Sequence, residues 1–314
     1  MIIVTGASGF IGSNLVRTLN QMSETDILIV DSLEHDTFRN LSDCTIADYM
    51  GIDSFFNYIS SGNTFPKCSA IYHVGACADT METSGEYMMY RNFTFSKTLL
   101  EYAVKYAVPF VYSSSASVYG INHKSEEVPQ NERPINLYAW SKLAFDQHVR
   151  SKLNYINSTV VGLRYFNVYG AGEWHKGRMQ SMVCQLYNMA KKSDTVTLFG
   201  EYDGFGAGCQ ARDFVHVSDC VSVNLFMANS DSVRTGIFNV GTGTARTFND
   251  AAKVVGAKSI EYKPFPDVLK GKYQPYTCAD LTRLRNAGYT KSFLSLEEGV
   301  RLSRELWDRE AEWK

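Results

Sequence analysis

The first dozen residues restrict this chain more than any other stretch. Ile2-Ile3-Val4 is a short apolar run, and three glycines follow at G-x-x-G-x-x-G spacing in Gly6-Ala7-Ser8-Gly9-Phe10-Ile11-Gly12. The run reads as a buried parallel strand, and Leu15, Val16 and Leu19 then recur at helical spacing. Strand, glycine-rich turn and helix form the context a dinucleotide site needs. Gly6 permits the tight turn, Gly9 lets backbone approach a pyrophosphate, and Gly12 lets the helix pack close to the sheet. The helix N-terminus offers N–H groups and partial positive charge to phosphates. The spacing carries one residue more than G-x-G-x-x-G, and a glycine turn without a ligand is the alternative. A second apolar run, Ile27 to Val30, ends in Asp31. An acid about 20 residues past the glycines can accept hydrogen bonds from an adenosine ribose, where a merely solvated strand-end Asp would do nothing.

The 314 residues suffice for one large or two modest domains. A net charge of −2 with no basic stripe argues against a dominant nucleic-acid role. No apolar run approaches a membrane span, and a strand beginning at Ile2 leaves no room for a signal peptide, so a cytoplasmic protein is expected. Seven cysteines, an odd number with no C-x-x-C pair, fit reduced thiols. Six histidines form no H-x-x-x-H pair, and no metal is expected.

Further candidate strands are Thr45 to Ala47, Ala70 to Val74, Pro109 to Tyr112 and Thr159 to Leu163, with helical patterns over Asp53 to Ile59 and Phe95 to Tyr106. This alternation predicts an α/β chain with a doubly wound parallel sheet, the Rossmann arrangement for NAD(P), and a smaller mixed α/β substrate lobe. Helical pattern also covers Met179 to Lys191, and Gly200 to Gly208 reads as a long mobile loop. Strand pattern returns at Asp213 to Val217 and Gly236 to Gly241. The expected division is 1–167 plus about 213–241 for the dinucleotide domain, and 168–212 plus about 242–314 for the substrate lobe.

Ser113-Ser114-Ser115-Ala116-Ser117 leaves the fifth strand at its carboxyl end, the edge where open α/β sheets bind ligands. Tyr138 and Lys142 stand four apart in Tyr138-Ala139-Trp140-Ser141-Lys142, so a helix puts them on one face. A phenol with its ordinary pKa near ~10 is a poor base at neutral pH. A lysine ammonium and an oxidised nicotinamide beside it favour the phenolate. Tyr138 can then take a hydroxyl proton while the carbon loses hydride; Lys142 holds the nicotinamide ribose and Ser115 bonds the reacting oxygen. A lone Y-x-x-x-K is usually a surface pair, but the glycine turn and the serine-rich strand end stand at suitable separations.

Together these residues resemble the extended short-chain dehydrogenase/reductase superfamily, whose members mostly act on nucleotide sugars. Other stretches sharpen the likeness: Ile46 to Met50, Tyr87-Met88-Met89, Arg164 to Gly170, Glu173-Trp174-His175-Lys176-Gly177, and Phe265 to Gln274, which contains Leu269-Lys270-Gly271-Lys272-Tyr273-Gln274. With them the chain resembles, nearly end to end, the ADP-heptose epimerase family. The resemblance implies an isomerase that inverts carbon 6 of an ADP-activated heptose by transient oxidation and re-reduction on bound NADP, with NAD as the alternative cofactor. Inversion demands a proton partner for the oxygen in two orientations, and the resemblance gives these roles to Tyr138 and Lys176. The alternative for Lys176 is a phosphate contact or a surface lysine.

By the same resemblance the cofactor contacts are Gly6, Gly9, Phe10, Ile11, Gly12, Asp31, Ser32, Arg39, Asp48, Val74, Gly75, Ala76, Cys77, Asn92, Lys142, Val168 and Lys176. Asn92 also reads as a simple helix cap, and Asp48 as surface. The substrate contacts are Ser115, Asn167, Arg178, Gln185, Phe199, Arg212 and Tyr273, with Arg212 on the diphosphate. A homo-oligomer, a pentamer in the family, and a place in making bacterial lipopolysaccharide heptose are implied as well.

The chain departs from the family pattern at Val74, where an acid is usual, at Phe38 and Ile52, where lysines are usual, and at Arg178, where a serine is usual. Arg39 can supply a charge for a 2′-phosphate. These changes, with a longer loop from Gly200 to Ala211, leave the choice of NADP or NAD and the sugar itself open. Among rivals, a 4,6-dehydratase needs an acid pair where Ala116 and Ser117 stand. A UDP-hexose 4-epimerase lacks a reason for the His175-Lys176-Gly177 segment. A non-catalytic NADP-binding protein has no use for Ser115, Tyr138 and Lys142 together.

Overall fold

The structure, a computed structural model, describes residues 1–229 and 234–313. Lys314 and residues 230–233, which fall inside the expected domain spans, lie outside the described residues. In chain order the strands are β1 (Ile2–Thr5), β2 (Ile27–Val30), β3 (Asp48–Met50), β4 (Ala70–His73), β5 (Phe110–Ser115), β6 (Val160–Tyr165), β7 (Asn167–Tyr169), β8 (Thr195–Phe199), β9 (Ala211–His216), β10 (Thr235–Val240), β11 (Ala245–Thr247) and β12 (Ser259–Lys263). The helices are α1 (Phe10–Gln21), α2 (Ile52–Ser60), α3 (Gly85–Met89), α4 (Phe95–Lys105), α5 (Leu137–Lys152), α6 (Met182–Ser193), α7 (Val217–Ala228), α8 (Phe248–Val255), α9 (Thr282–Asn286) and α10 (Leu296–Ala311).

The chain divides into two compact units. The first comprises Met1–Val118, Asn136–Arg164 and Val221–Phe238. Its sheet has the order β10-β6-β5-β4-β1-β2-β3, and the pairs β3–β2, β2–β1, β1–β4 and β4–β5 all run parallel. Every residue of β1, β2 and β4 is buried, because helices cover both faces of such a sheet and its strands are apolar throughout. One core layer gathers Ile3, Leu28, Phe55, Ile71, Leu99 and Phe110. β1 has β2 on one side and β4 on the other, so strand order reverses there, and the crevice at the carboxyl ends of β1 and β4 is where a ligand fits.

The second unit comprises Tyr119–Ile135, Tyr165–Cys220 and Asn239–Lys314. It holds a three-stranded sheet, β11-β9-β7, and a two-stranded sheet, β12-β8. Val183 and Leu186 of α6, Ala251 and Val255 of α8, and Val300 and Trp307 of α10 share its core. α10 starts on a capping box in which Ser295 and Glu298 satisfy each other's backbone N–H groups.

Three sequence expectations need correction. The third strand is Asp48–Met50, not Thr45 to Ala47. It is an edge strand, so its side chains lie exposed or half-buried and leave no apolar signature. Second, of 213–241 only Val221–Phe238 belongs to the first unit. β9 pairs with β7 and β11 instead of the large sheet. Periodicity cannot say which sheet a wholly buried strand joins. Residues 119–135 also sit in the second unit, where the Asn239 amide donates to Ser125 O at 2.6 Å and Glu127 Oε1 accepts from Asn239 N at 2.8 Å. Third, the loop from Gly200 to Gly208 is a closed turn. Tyr202 and Phe205 exchange backbone hydrogen bonds at 3.0 Å, and the Tyr202 ring stacks on Phe265 with centroids 3.9 Å apart.

Candidate active site

The glycine turn after β1 is built by close approach. Gly6 has φ of +66°, and a Cβ there would lie 2.4 Å from Gly75 Cα. At Gly12 a Cβ would lie 2.0 Å from Gly6 O. A larger residue at Gly6 forces the β1 and β4 turns apart, and one at Gly12 forces the glycine turn itself open. α1 follows with Gly9 as its N-cap, no side-chain cap and no acid in its first turn. A helix N-terminus of this kind favours an anion, so the cradle fits a dinucleotide pyrophosphate.

Asp31, at the end of β2, is buried and faces this turn. Oδ2 accepts from Ser8 N at 2.8 Å, and Oδ1 from Ser32 N at 2.7 Å. Its carboxylate thus ties the glycine turn to the strand end. Arg39 lies on a 3-10 turn, Thr37–Leu41, with its guanidinium 3.8 Å from Asp36. Asp48 is exposed as the first residue of β3, and its carboxylate accepts from Tyr49 N.

Val74, Gly75, Ala76 and Cys77 form the turn after β4. Asn92 holds that turn: Oδ1 accepts from Cys77 N at 2.8 Å, and Nδ2 donates to Cys77 O at 3.0 Å and to Ser141 Oγ at 2.9 Å. Asn92 sits in a single π turn, Tyr90–Thr94, between α3 and α4. It does not cap a helix start; the wide turn aims its amide inward, as π turns often do at functional sites.

Ser115, Tyr138 and Lys142 meet at the end of β5. The Tyr138 hydroxyl is hydrogen-bonded to Ser115, and Lys142 Nζ lies 6.0 Å from the Tyr138 ring centre. Lys142 Nζ donates to Ser113 O at 2.9 Å. Burial pushes the Tyr138 phenol up, and the Ser115 hydrogen bond opposes that rise. Burial also brings Lys142 down to about 8, with the Asp146 carboxylate working against the fall. This arrangement has a proton acceptor, a donor to the reacting oxygen and a buried cation on one strand end and one helix face, which suits removal of a carbinol's proton while a bound dinucleotide would accept the hydride.

The second unit carries the remaining candidates. Arg212 on β9 is buried, hydrogen-bonded to Tyr273, and stacked 4.8 Å from the Tyr273 ring and 5.3 Å from Phe248. Phe199 meets Tyr273 edge-on at 6.3 Å. The structure therefore brings Arg212, Tyr273 and Phe199 into one cluster, where a guanidinium lies against aromatic rings. Asn167 is exposed and accepts from Thr277 Oγ1 at 3.3 Å, and Val168 follows it on β7. Lys176 and Arg178 lie on a 3-10 turn, Trp174–Met179. Burial lowers Lys176, and the Glu173 carboxylate opposes that. Gln185 closes the same turn, donating to Gln180 O at 2.7 Å.

The model of the NAD dependent epimerase/dehydratase family matches residues 2–241. The chain belongs to that family. Among curated relatives, the family member named ADP-L-glycero-D-manno-heptose-6-epimerase in Cupriavidus pinatubonensis is 49% identical over 95% of this chain and 96% of the relative. A protein of the same name from Pseudomonas paraeruginosa is 48% identical over the same shares. Of solved structures, the Helicobacter pylori ADP-L-glycero-D-manno-heptose-6-epimerase superposes with a TM-score of 0.83 at 28% identity, covering 98% of this chain and 96% of that one.

Sequence reading of this epimerase missed two residues that organise the site. Asp146 lies four residues after Lys142 on α5 and is wholly buried, and that spacing was a usable signal. Glu173 opens the Lys176 turn and is wholly buried too, and no local pattern marks it.

Proposed function

We propose that this epimerase inverts carbon 6 of ADP-D-glycero-D-manno-heptose to give ADP-L-glycero-D-manno-heptose, using NADP. The observation that carries the reading is the Ser115–Tyr138 hydrogen bond beside the buried Lys142 ammonium, at the carboxyl end of β5. The near end-to-end similarity to relatives of that name supports the choice of sugar. The glycine turn holds the dinucleotide pyrophosphate, and Lys142 holds its nicotinamide ribose. When bound, the nicotinamide supplies the hydride acceptor and then the donor. Ser115 hydrogen-bonds the oxygen on carbon 6, and Tyr138 takes its proton. After the ketone turns over, Lys176 serves as proton partner in the other orientation, because one fixed group cannot reach both. Arg212, stacked on Tyr273, takes the diphosphate, with Asn167, Arg178, Gln185 and Phe199 as further sugar-nucleotide contacts.

The first unit acts as the dinucleotide domain and the second as the substrate lobe. Arg39 reads the 2′-phosphate of NADP; with NAD, Asp31 would take the ribose hydroxyl instead. A cytoplasmic homo-oligomer is the expected form. No helix among the described residues is long and apolar enough to cross a membrane.

The test is incubation of the NADP-loaded protein with ADP-D-glycero-D-manno-heptose and, separately, with a UDP-hexose, both in deuterated water, with product stereochemistry and deuterium content read by NMR. Inversion of the heptose with no deuterium at carbon 6 is expected. Inversion of the UDP-hexose alone would transfer the assignment to a 4-epimerase, and deuterium at carbon 6 would reject internal return of the hydride.

A further inference from the structure

The turn that carries Lys176 is held by one buried carboxylate. Glu173 is 0% exposed. Its Oε1 accepts from Gly170 N at 3.2 Å and from Ser181 Oγ at 2.9 Å, and its Oε2 accepts from Ser181 N. Gly170 precedes the turn and Ser181 caps α6 behind it, so the carboxylate joins the two ends of the segment. The backbone closes the same segment from inside. Lys176 N donates to Glu173 O at 3.1 Å, Gln180 N donates to Gly177 O at 3.2 Å, and the Gln180 amide donates to Glu173 O at 3.2 Å.

A carboxylate taken wholly out of water is costly unless donors and a cation compensate it. Gly170 and Ser181 supply the donors. Lys176 is the cation of this turn: its backbone N bonds Glu173 O at 3.1 Å, and each side chain favours the charged form of the other. Among the described residues, other charged or titratable groups near the turn include His175 and Arg178 on the turn itself, Cys184 on α6 and Glu310 on α10. Glu310 Oε1 accepts from Gly172 N at 2.6 Å. Gly177, between Lys176 and Arg178, has φ of +50° and ψ of −122°, a backbone conformation open to glycine.

We propose that Glu173 is the positioning residue for Lys176: its buried carboxylate clasps the 173–181 turn at both ends and stands as the counter-charge that holds the ammonium in place. The inference rests on the reading of Lys176 as the second acid/base, but it can be tested apart from that reading. Removing the carboxylate removes an attraction on the protonated amine, so the Lys176 amine becomes neutral, and reactive, at lower pH.

The experiment is pH-dependent acylation of the cofactor-loaded protein by an amine-reactive ester, with Lys176 modification followed by peptide mass spectrometry, alongside epimerisation rates. In Glu173→Gln the half-labelling pH of Lys176 should fall by about one unit, while other lysines keep theirs. In Glu173→Asp the carboxylate withdraws by one methylene, so the shift should be smaller and in the same direction. That variant also keeps the comparison open if the amide variant does not fold. Turnover should fall about tenfold or more in Glu173→Gln and be partly restored in Glu173→Asp. An unchanged Lys176 labelling pH in whichever variant folds overturns the proposal. A shifted labelling pH with undiminished turnover supports the Glu173–Lys176 link and overturns the catalytic role of Lys176 instead.

Discussion

Asp146 sits one turn beyond Lys142 on α5, and its wholly buried carboxylate grips the equally buried Arg164 guanidinium, 2.8 Å from Nη2 and 2.9 Å from Nε. The same carboxylate accepts from Ser114 Oγ at 2.9 Å and Tyr112 OH at 3.0 Å. Ser114 precedes Ser115, and Asp146 shares a helix with Tyr138 and Lys142. The network therefore ties strand β5 to helix α5, the two elements that carry Ser115, Tyr138 and Lys142. A buried pair of this kind is stable only while every partner remains.

Asp146→Asn strips Arg164 of its counter-charge while keeping the side-chain shape. The expected cost is about 3–5 kcal/mol of folding stability. Urea denaturation measures it, and a midpoint within error of the parent would contradict the role given to the pair.

Gly12→Ala places a methyl group 2.0 Å from Gly6 O unless the turn opens. Opening moves α1 away from the strand end and displaces its N–H groups from the pyrophosphate. Dinucleotide affinity should drop at least about tenfold, measured by calorimetric titration, while far-UV circular dichroism stays native.

Tyr138→Phe and Lys176→Met should each cut epimerisation at least about 10²-fold. Dinucleotide affinity should change little in Tyr138→Phe, because the phenol hydroxyl bonds Ser115 and not the pyrophosphate cradle. Near-parental rates in either variant would remove that residue from the mechanism.

Under the proposal that Arg39 reads the 2′-phosphate, Arg39→Ala should weaken NADP binding more than NAD binding. Titration of the variant with both dinucleotides decides it. Equal losses would return the preference to Asp31 and to NAD.

His73 lies buried between Thr5 Oγ1, 2.6 Å from Nδ1, and Ser96 Oγ, 2.8 Å from Nε2. Burial brings its pKa down to about 3, and the Lys142 and Arg91 charges add to the fall. Below about pH 6.5 the unfolded chain takes up a proton there that the folded chain refuses. This histidine's contribution to stability is thus complete above that pH and is lost as pH falls toward 3, by about 1.4 kcal/mol per unit. Imidazole NMR shifts at pH 5 should show His73 neutral; a titration midpoint near 6.5 would contradict its burial.

The glycine spacing, the apolar run at Ile27 to Val30 and the four-residue step from Tyr138 to Lys142 were legible because each depends on chain neighbours alone. They pointed to the close glycine turn after β1 and to Tyr138 and Lys142 on one helix face without any tertiary knowledge. Sequence placed the third strand at Thr45 to Ala47 instead of Asp48–Met50 because an edge strand shows no apolar alternation. Asn92 reads from sequence as either a helix cap or part of the site, because nothing local announces the π turn that holds it.

By itself the sequence determined the alternation of strand and helix, the glycine turn after β1 and the shared helix face of Tyr138 and Lys142, since steric freedom at glycine and helical periodicity act over a few residues. Only the tertiary structure decided that β9 pairs with β7 and β11, that Asp146 closes on Arg164, and that Glu173 fastens the Lys176 turn. Those pairings join residues by register and burial, and a buried charge selects its partner by proximity in the folded core, which no spacing along the chain records.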